Sequence, residues 1–142
     1  MKLNTYLSFD GDCRQAFDFY ARLLGGKVLA MMTFGEMPED CGPVAPEARD
    51  RVMHGCVDLG GQLLMGTDAT PQYPYEGVKG AYVTLQLEDV AEAERIFAGL
   101  SEGARRIEMP LQPTFWARRY GSLVDRFGVP WMVNCSDPCA GS

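Results

Sequence analysis

An internal repeat is the feature of this sequence that most restricts its fold. Shifting the N-terminal third by 77 positions superimposes residues 16–26 on residues 93–103, with matching alanines, leucines and glycines. A shift of 67 superimposes residues 58–65 on residues 125–132, so that an aspartate, a glycine and a methionine coincide. Self-similarity of this kind is typical of a duplicated structural unit. The chain is therefore predicted to contain two copies of one module.

Each copy has the same predicted order of elements. A helix begins after a capping aspartate in segment 10–12 or 88–89 and ends near glycine at 25–26 or 103. Segments rich in β-forming residues flank each helix, and a hairpin with glycine at its turn completes each copy. The predicted strands cover residues 3–9, 27–34, 53–57 and 62–67 in the first copy and 81–87, 105–109, 118–124 and 129–135 in the second.

This order predicts an α+β fold of two βαβββ modules, which form a cupped, mostly antiparallel eight-stranded sheet with the helices on its outer face. We expect a single domain over residues 1–142, with module one at about 1–70, a linker at about 71–79, module two at about 80–136 and a polar tail at 137–142. The first copy is longer by about ten residues, which fall in the Pro-, Gly- and acid-rich stretch 35–50. We interpret this stretch as a surface loop that forms a flap.

Composition and charge exclude several classes of function. The 13 Lys and Arg residues against 19 Asp and Glu residues give a net charge of −6, which does not favour binding to nucleic acid. Apolar runs are too short for a membrane helix and residues 1–4 do not begin a signal peptide, so a cytoplasmic protein is expected. The five cysteines contain no C-x-x-C pair and are expected to be reduced, including Cys135 and Cys139 near the C-terminus. No Gly-rich phosphate loop is present.

The sequence resembles the vicinal oxygen chelate superfamily, which includes glyoxalase I, extradiol dioxygenases and bleomycin-resistance proteins, and within it the PhnB-like branch. The segments that carry the resemblance are YLSFDGDCRQAFDFYARLLGG at 6–26, FGEMPED at 34–40, HGCVDLGGQLLMGTD at 54–68 and PLQPTFWARRYGSLVDRFGVPWMVN at 110–134. The resemblance implies a homodimer and a ligand cleft built from paired modules.

In metal-dependent members, the resemblance implies one ligand on the first and one on the fourth strand of each module. The corresponding positions here are Thr5, Met65, Tyr82 and Met132. Hard and borderline divalent ions require carboxylate or imidazole donors, whereas a thioether suits mainly copper(I). We therefore predict no metal ligands at these four positions and no cofactor, while a divalent ion could still bind a shifted set containing His54 with Glu36 or Asp68.

Alternation along the strands predicts which side chains line the cleft. On the fifth strand, Tyr82, Thr84 and Gln86 face the cleft and the intervening apolar residues face the helix. On the first strand, Thr5, Leu7 and Phe9 are assigned to the cleft and Tyr6 and Ser8 to the helix. The ligand-binding residues predicted from the strand pattern and the resemblance are Thr5, Phe9, Met65, Tyr82, Thr84, Trp116, Arg118 and Met132.

His54 is the only histidine and is predicted to lie on the same face as Met65. Since its unperturbed pKa is near neutrality, it is the candidate catalytic base, although a histidine that merely lines the cleft fits the sequence equally. Trp116 and Arg118 would suit an anionic or aromatic ligand by stacking and by guanidinium contacts, or they could serve packing instead. Methionines near the flap, including Met37, would provide a deformable apolar lining or core packing.

The predicted function is that of a metal-free protein that binds a small, partly apolar or aromatic molecule. One alternative is a glyoxalase-type lyase or isomerase, either metal-dependent or assisted by His54. A third possibility is a non-catalytic subunit that binds a protein partner and whose cleft is filled by its own side chains.

Overall fold

The computed structural model describes residues 1–136, and the chain divides into two compact units, the first ending at Gly77 and the second beginning at Val78. The first unit contains β1 (Thr5–Phe9), α1 (Cys13–Leu24), β2 (Lys27–Thr33), β3 (Val52–Leu59) and β4 (Gln62–Asp68). The second contains β5 (Val83–Leu87), α2 (Val90–Ser101), β6 (Arg106–Gln112), β7 (Arg119–Val124) and β8 (Pro130–Cys135). The predicted α+β class and the duplicated βαβββ order are confirmed.

The eight strands form two four-stranded sheets with the same topology. Their orders are β1-β4-β3-β2 and β5-β8-β7-β6. In each sheet the first and last strands of the module pair in parallel, and the other two pairings are antiparallel. Neither helix within residues 1–136 is long and apolar enough to cross a lipid bilayer.

Close packing of α1 against the first sheet depends on two glycines. A Cβ atom at Gly66 would lie 2.8 Å from the Phe17 ring of α1, and one at Gly55 would lie 3.0 Å from it. Phe17 also meets Phe9 of β1 edge to face, with ring centroids 5.5 Å apart. Because interiors pack at near-crystalline density, the missing side chains at both glycines leave the space that the Phe17 ring fills.

The second sheet uses the same arrangement under α2. A Cβ atom at Gly121 of β7 would lie 2.8 Å from the Phe97 ring of α2. Trp131 of β8 is fully buried, and its indole N–H donates to the carboxylate of Asp125 at 2.9 Å. Asp125 also accepts the backbone N–H groups of Phe127 and Val129, so it closes the turn between β7 and β8. In the first module, Asp58 accepts the N–H of Gly61 in the equivalent turn.

The predicted cap of α1 is wrong, because the side chain of Asp12 makes no capping hydrogen bond. A carboxylate from the end of β4 takes its place: Asp68 accepts the N–H groups of Gly11 at 3.1 Å and of Cys13 at 3.0 Å. Its other oxygen accepts the N–H of Val52, the first residue of β3, at 2.8 Å. Asp68 therefore satisfies the free N–H groups that begin a helix and joins three elements at one point.

The predicted cap of α2 is confirmed. Asp89 precedes the helix in an extended conformation, and its side chain accepts the N–H of Glu92 at 3.2 Å. Both helices therefore have an aspartate that accepts their first N–H groups. For α2 it is the adjacent Asp89, and for α1 it is Asp68, which is distant in the sequence.

Cysteines 13, 41, 56 and 135 are free thiols, as expected. Burial raises the pKa of the Cys13 thiol, and the nearby carboxylates of Asp68 and Asp12 raise it further. Burial likewise raises the pKa of Cys56. The predicted reduced state of Cys139 concerns a residue outside the described part of the chain.

Replacing Asp68 by asparagine should reduce the free energy of unfolding by about 2–4 kcal/mol, because an amide nitrogen would then face a backbone N–H group that is buried. Chemical denaturation monitored by circular dichroism measures the change. Asp58→Asn is the matched control, since its exposed turn retains one amide oxygen for Gly61, and it should cost less than about 1 kcal/mol. Equal costs for the two variants would contradict the role assigned to Asp68.

The raised pKa of Cys13 predicts a pH-dependent loss of stability. Above the usual thiol pKa of about 8.5, the unfolded chain loses the Cys13 proton while the folded chain keeps it, so the free energy of unfolding falls as pH rises. Cys13→Ala should remove this contribution, which is at most about 1.4 kcal/mol per pH unit. Denaturation curves from pH 8 to 10 test this, and parallel slopes for both proteins would contradict it.

Candidate functional site

The face of the first sheet opposite α1 carries a set of polar and sulfur-containing side chains. In the strand registers, Tyr6 pairs with Met65, Met65 pairs with Cys56, and Ser8 pairs with Thr67. Paired residues in neighbouring strands project from the same face of a sheet. The open face of the first sheet, as we call it, is therefore formed by Tyr6, Ser8, Met32, His54, Cys56, Met65 and Thr67.

The sequence assignment of β1 to the two faces is wrong. Phe9 is fully buried against Phe17, and Thr5 pairs with the buried Leu64, so both residues belong to the helix side and Tyr6 takes the position expected for Thr5. Three residues separate β1 from α1, but only two separate β5 from α2. The shift of 77 aligns the helices and misaligns these strands by one residue, which exchanges the two faces.

His54 and Tyr6 form the central contact of the open face. The hydroxyl of Tyr6 lies 3.4 Å from Nδ1 of His54, and the two rings are stacked with centroids 5.9 Å apart. Partial burial raises the pKa of Tyr6; electrostatic interaction with Cys13 adds to the increase, and a hydrogen bond with Thr67 opposes it. The predicted placement of His54 on the face of Met65 is confirmed, and the ring stacked on it is the phenol of Tyr6.

A cavity of about 550 Å³ adjoins this face. Ser8 and Thr67 of the open face line one side, and the segment between β2 and β3 lines another with Phe34, Met37 and Val44. The remaining wall follows β4 and includes Thr70 and Tyr73. Both carboxylate oxygens of Asp68, which also lines the cavity, are already bonded to backbone N–H groups. The predicted flap therefore borders a space of the size that small-molecule sites typically have.

The open face of the second sheet carries Thr84, Gln86, Tyr120, Ser122, Met132 and Asn134. Asn134 donates its amide to the side-chain oxygen of Gln86 at 2.9 Å, and Gln86 donates to the hydroxyl of Ser136. The side-chain oxygen of Asn134 is buried without a hydrogen-bond partner among residues 1–136. The predicted orientation of Thr84, Gln86 and Met132 away from α2 is confirmed.

Tyr82 precedes β5, and its side chain forms a hydrogen bond with Glu108 of its own module. Its hydroxyl lies 2.9 Å from one carboxylate oxygen of Glu108 and 3.0 Å from the other. This hydrogen bond is the main cause that raises the pKa of Tyr82, with smaller contributions from burial and from the negative charge of Glu108. The phenol therefore acts as a donor to Glu108 and stays protonated at neutral pH.

Arg118 and Trp116 lie at the edge of the second module. The guanidinium of Arg118 donates to the backbone carbonyls of Ser136, at 3.0 Å, and Glu88. Trp116 contacts the rings of Phe115 and Tyr120 and borders a shallow space of about 390 Å³. The ligand role predicted for Arg118 thus competes with a structural role that occupies its guanidinium.

Sequence reasoning missed a second copy of this arginine contact. Arg51 precedes β3 as Arg118 precedes β7, and it donates to the carbonyl of Ala69 at 2.8 Å, just as Arg118 donates to Ser136. Arg51 and Arg118 are 67 residues apart in the sequence, and so are Ala69 and Ser136. The signal that could have found the pair is the shift of 67, extended along the sequence in both directions.

The residues present do not fit the metal ion that the fold implies. Nowhere in residues 1–136 do three His, Cys, Asp or Glu side chains cluster as a metal site would require. The positions facing away from the helices on the first and last strands are Tyr6, Met65, Thr84 and Met132, which offer no carboxylate or imidazole donor. The shifted set with Asp68 also fails, because its oxygens are bonded to three backbone N–H groups.

Comparison with known proteins agrees with the duplicated fold. The chain is 37% identical over 141 residues to Protein YjdN from Escherichia coli, covering 94% of this chain and 95% of that protein. The crystal structure of PA1353 from Pseudomonas aeruginosa is similar with a TM-score of 0.88 and 46% identity, over 96% of this chain and 98% of that one. A PhnB protein from Bacillus cereus shares the fold with a TM-score of 0.78 at 23% identity, over 96% of this chain and all of that one.

Residues 2–133 match the Glyoxalase/Bleomycin resistance protein/Dioxygenase superfamily, whose members bind small molecules. The match extends from before β1 into β8 and therefore includes elements of both modules. Together with the identity to YjdN over nearly the full length of both proteins, it shows that this chain belongs to the Glyoxalase/Bleomycin resistance protein/Dioxygenase superfamily.

Proposed function

We propose that this protein binds a small, partly apolar molecule in the cavity between the open face of the first sheet and segment 34–48, without a metal ion. The observation that carries the proposal is the cavity of about 550 Å³ itself. Its volume lies within the range of about 300–1,000 Å³ that is typical of small-molecule sites. Membership of a superfamily whose members bind small molecules supports the same function.

The lining of the cavity favours an apolar body with a few hydrogen-bonding groups. Phe34, Met37 and Val44 offer apolar surface, and methionine adapts its shape to an irregular ligand. The hydroxyl groups of Ser8 and Thr70 provide the polar contacts that fix orientation. Thr67 also lines the cavity, and its hydroxyl donates to the backbone carbonyl of Val52 at 3.1 Å. Tyr6 and His54 lie on the same open face as Ser8 and Thr67 but do not line the cavity.

The existence of this space favours ligand binding over a purely structural subunit. A subunit whose only role is to bind a protein partner would be expected to fill its cleft with its own side chains. In the first module, segment 34–48 leaves the space beside Ser8 and Thr67 open instead. We further propose that the protein works as a homodimer in the cytoplasm, to which the exposed Met32 and Ile107 offer apolar contact surface.

A neutral fluorescent probe tests the binding proposal. N-phenyl-1-naphthylamine should increase its emission when it enters the cavity, because its fluorescence rises in apolar surroundings. Val44→Trp places an indole in the cavity and should weaken probe binding at least about tenfold, since a filled site excludes the ligand. Titration at constant protein concentration measures the dissociation constant.

Leu29→Trp is the matched control, because it adds the same side chain at an exposed position of β2 that does not line the cavity. Probe affinity should stay within about twofold of the unmodified protein. Absence of any emission change in the unmodified protein, or equal weakening by both substitutions, would remove the support for this cavity as the binding site.

The Tyr6–His54 contact favours proton transfer as a second candidate function. A histidine beside a neutral phenol could remove a proton next to a carbonyl group, which is the step a glyoxalase-type isomerase needs. Methylglyoxal with glutathione in D₂O provides the substrate, and proton NMR follows both exchange and product. The binding proposal predicts rates equal to those in buffer. If the unmodified protein and Leu29→Trp exchange or convert the substrate faster than buffer, and His54→Gln does not, the protein is a catalyst and the binding proposal is wrong.

A further inference from the structure

We propose that the open face of the first sheet holds a site for a soft monovalent metal ion, Cu(I), bound by the side chains of His54, Cys56 and Met65. These three residues, the soft-donor patch, do not line the cavity. The site therefore goes beyond the proposed function, and neither proposal depends on the other. It also differs from the divalent site that the fold implies, because a thioether is a poor ligand for hard and borderline divalent ions.

The strand registers bring the three donors together on the inner strands of the first sheet. Cys56 of β3 and Met65 of β4 are directly paired. In antiparallel strands, the Cβ atoms of such a pair are about 4.5–5.5 Å apart. His54 lies two residues before Cys56 on β3, so its side chain projects from the same face. Because β3 and β4 each have a hydrogen-bonded strand on both sides, the backbone holds the donors in place.

The buried thiol of Cys56 is the observation that points to a ligand. Cys56 is only 7% exposed, and its neighbours Gly55 and Val57 pack toward α1, so the thiol faces away from the helix. Within residues 1–136 this thiol forms neither a disulfide nor a hydrogen bond. Cysteine and methionine sulfur are the soft ligands that select Cu(I). The pair of Cys56 and Met65 therefore offers two such ligands side by side.

The contact with Tyr6 orients His54 as the third ligand. The Tyr6 hydroxyl lies 3.4 Å from Nδ1 of His54, and the two rings are stacked. In the tautomer with its proton on Nδ1, this nitrogen donates to the Tyr6 oxygen, and Nε2 keeps a lone pair for the metal. Histidines that bind metals in proteins almost always donate their other ring N–H in this way, which fixes the ring. Tyr6 is thus a positioning residue for the site.

Binding exchanges one proton for one metal ion. A bond forms between Cu(I) and Sγ of Cys56 as the S–H bond breaks, and the proton goes to solvent. Met65 and His54 bind as neutral ligands, and no electron is transferred. Both residues are partly exposed, so the ion can reach the buried thiol from solvent.

Competition with bicinchoninate measures Cu(I) binding. This chelator forms a coloured complex with Cu(I), and a protein that binds the ion more tightly removes the colour. Under nitrogen with ascorbate as reductant, the unmodified protein should take up one Cu(I) ion per chain. Absence of uptake would overturn the proposal.

Substitutions in β3 and β4 identify the ligands. Cys56→Ala should weaken Cu(I) binding at least about tenfold, and Met65→Leu, which keeps the volume and removes the thioether, about three- to tenfold. Met53→Leu is the matched control, because alternation along β3 directs Met53 toward α1. It should leave the affinity unchanged. Circular dichroism verifies that each variant is folded, and equal effects of Met65→Leu and Met53→Leu would contradict the assignment.

The thiols elsewhere in the chain require a separate control. Cys41 is exposed, and Cys139 lies beyond the described residues. Replacing both by serine should leave the uptake of one Cu(I) ion intact. Loss of uptake in this double variant would assign the copper to those thiols and overturn the site on the open face.

Silver provides a second measurement, because Ag(I) is a diamagnetic ion with the same charge and similar softness. In protein labelled with ¹³C at the methionine methyl groups, Ag(I) should shift the NMR signal of Met65 and leave that of Met53 in place. The two leucine variants assign these signals. Mg²⁺, a hard ion, should shift neither signal. An unchanged Met65 signal would overturn the proposal, whereas the fluorescent-probe titration decides the function of the cavity independently.

Discussion

The first module depends on the carboxylate of Asp68. Three backbone N–H groups converge on it, from the turn before α1, from the first residue of α1 and from the first residue of β3. Charge-assisted hydrogen bonds of this kind are stronger than those between neutral groups, and a buried carboxylate requires them. The same side chain therefore determines where the chain leaves β1, where it returns into β3 and how β4 ends. Asp68 itself lines the cavity, as do Ser8 of β1 and Ala48, which lies four residues before β3.

The second module shows which parts of this arrangement are general. The arginine contact with the residue after the last strand occurs in both modules, as do the glycines beneath the helix phenylalanines. The carboxylate does not recur, because Cys135 of β8 takes the register position that Asp68 has in β4. Eighteen residues separate β2 from β3, whereas six separate β6 from β7. The long connection of the first module supplies a cavity wall, and Asp68 fixes its return to the sheet.

The sequence was sufficient for features that depend on local pattern. The glycines after each helix and the glycines of the hairpin turns act within a few residues. Two features escaped prediction for physical reasons. The cap of α1 comes from Asp68, which is 55 residues from Cys13 in the chain. The faces of β1 depend on one additional residue in the turn before α1, so that Tyr6 faces away from the helix and Phe9 faces it, although β1 and α1 themselves were predicted. Local sequence pattern determines where helices and strands form. Long-range contacts and turn length determine how a helix is capped and which side chains face the helix or the open face.

Charge is the property whose meaning changes most between sequence and structure. A net charge of −6 over the whole chain does not favour binding to nucleic acid and does not identify a ligand. In the structure, segment 34–48 forms a wall of the cavity in the first module with uncharged residues, among them Phe34, Met37 and Val44. The outward positions of the first and last strands, Tyr6, Met65, Thr84 and Met132, offer no carboxylate or imidazole donor for a divalent ion. The carboxylate that lines the cavity, Asp68, accepts three backbone N–H groups, so the cavity wall presents no free carboxylate to a metal ion.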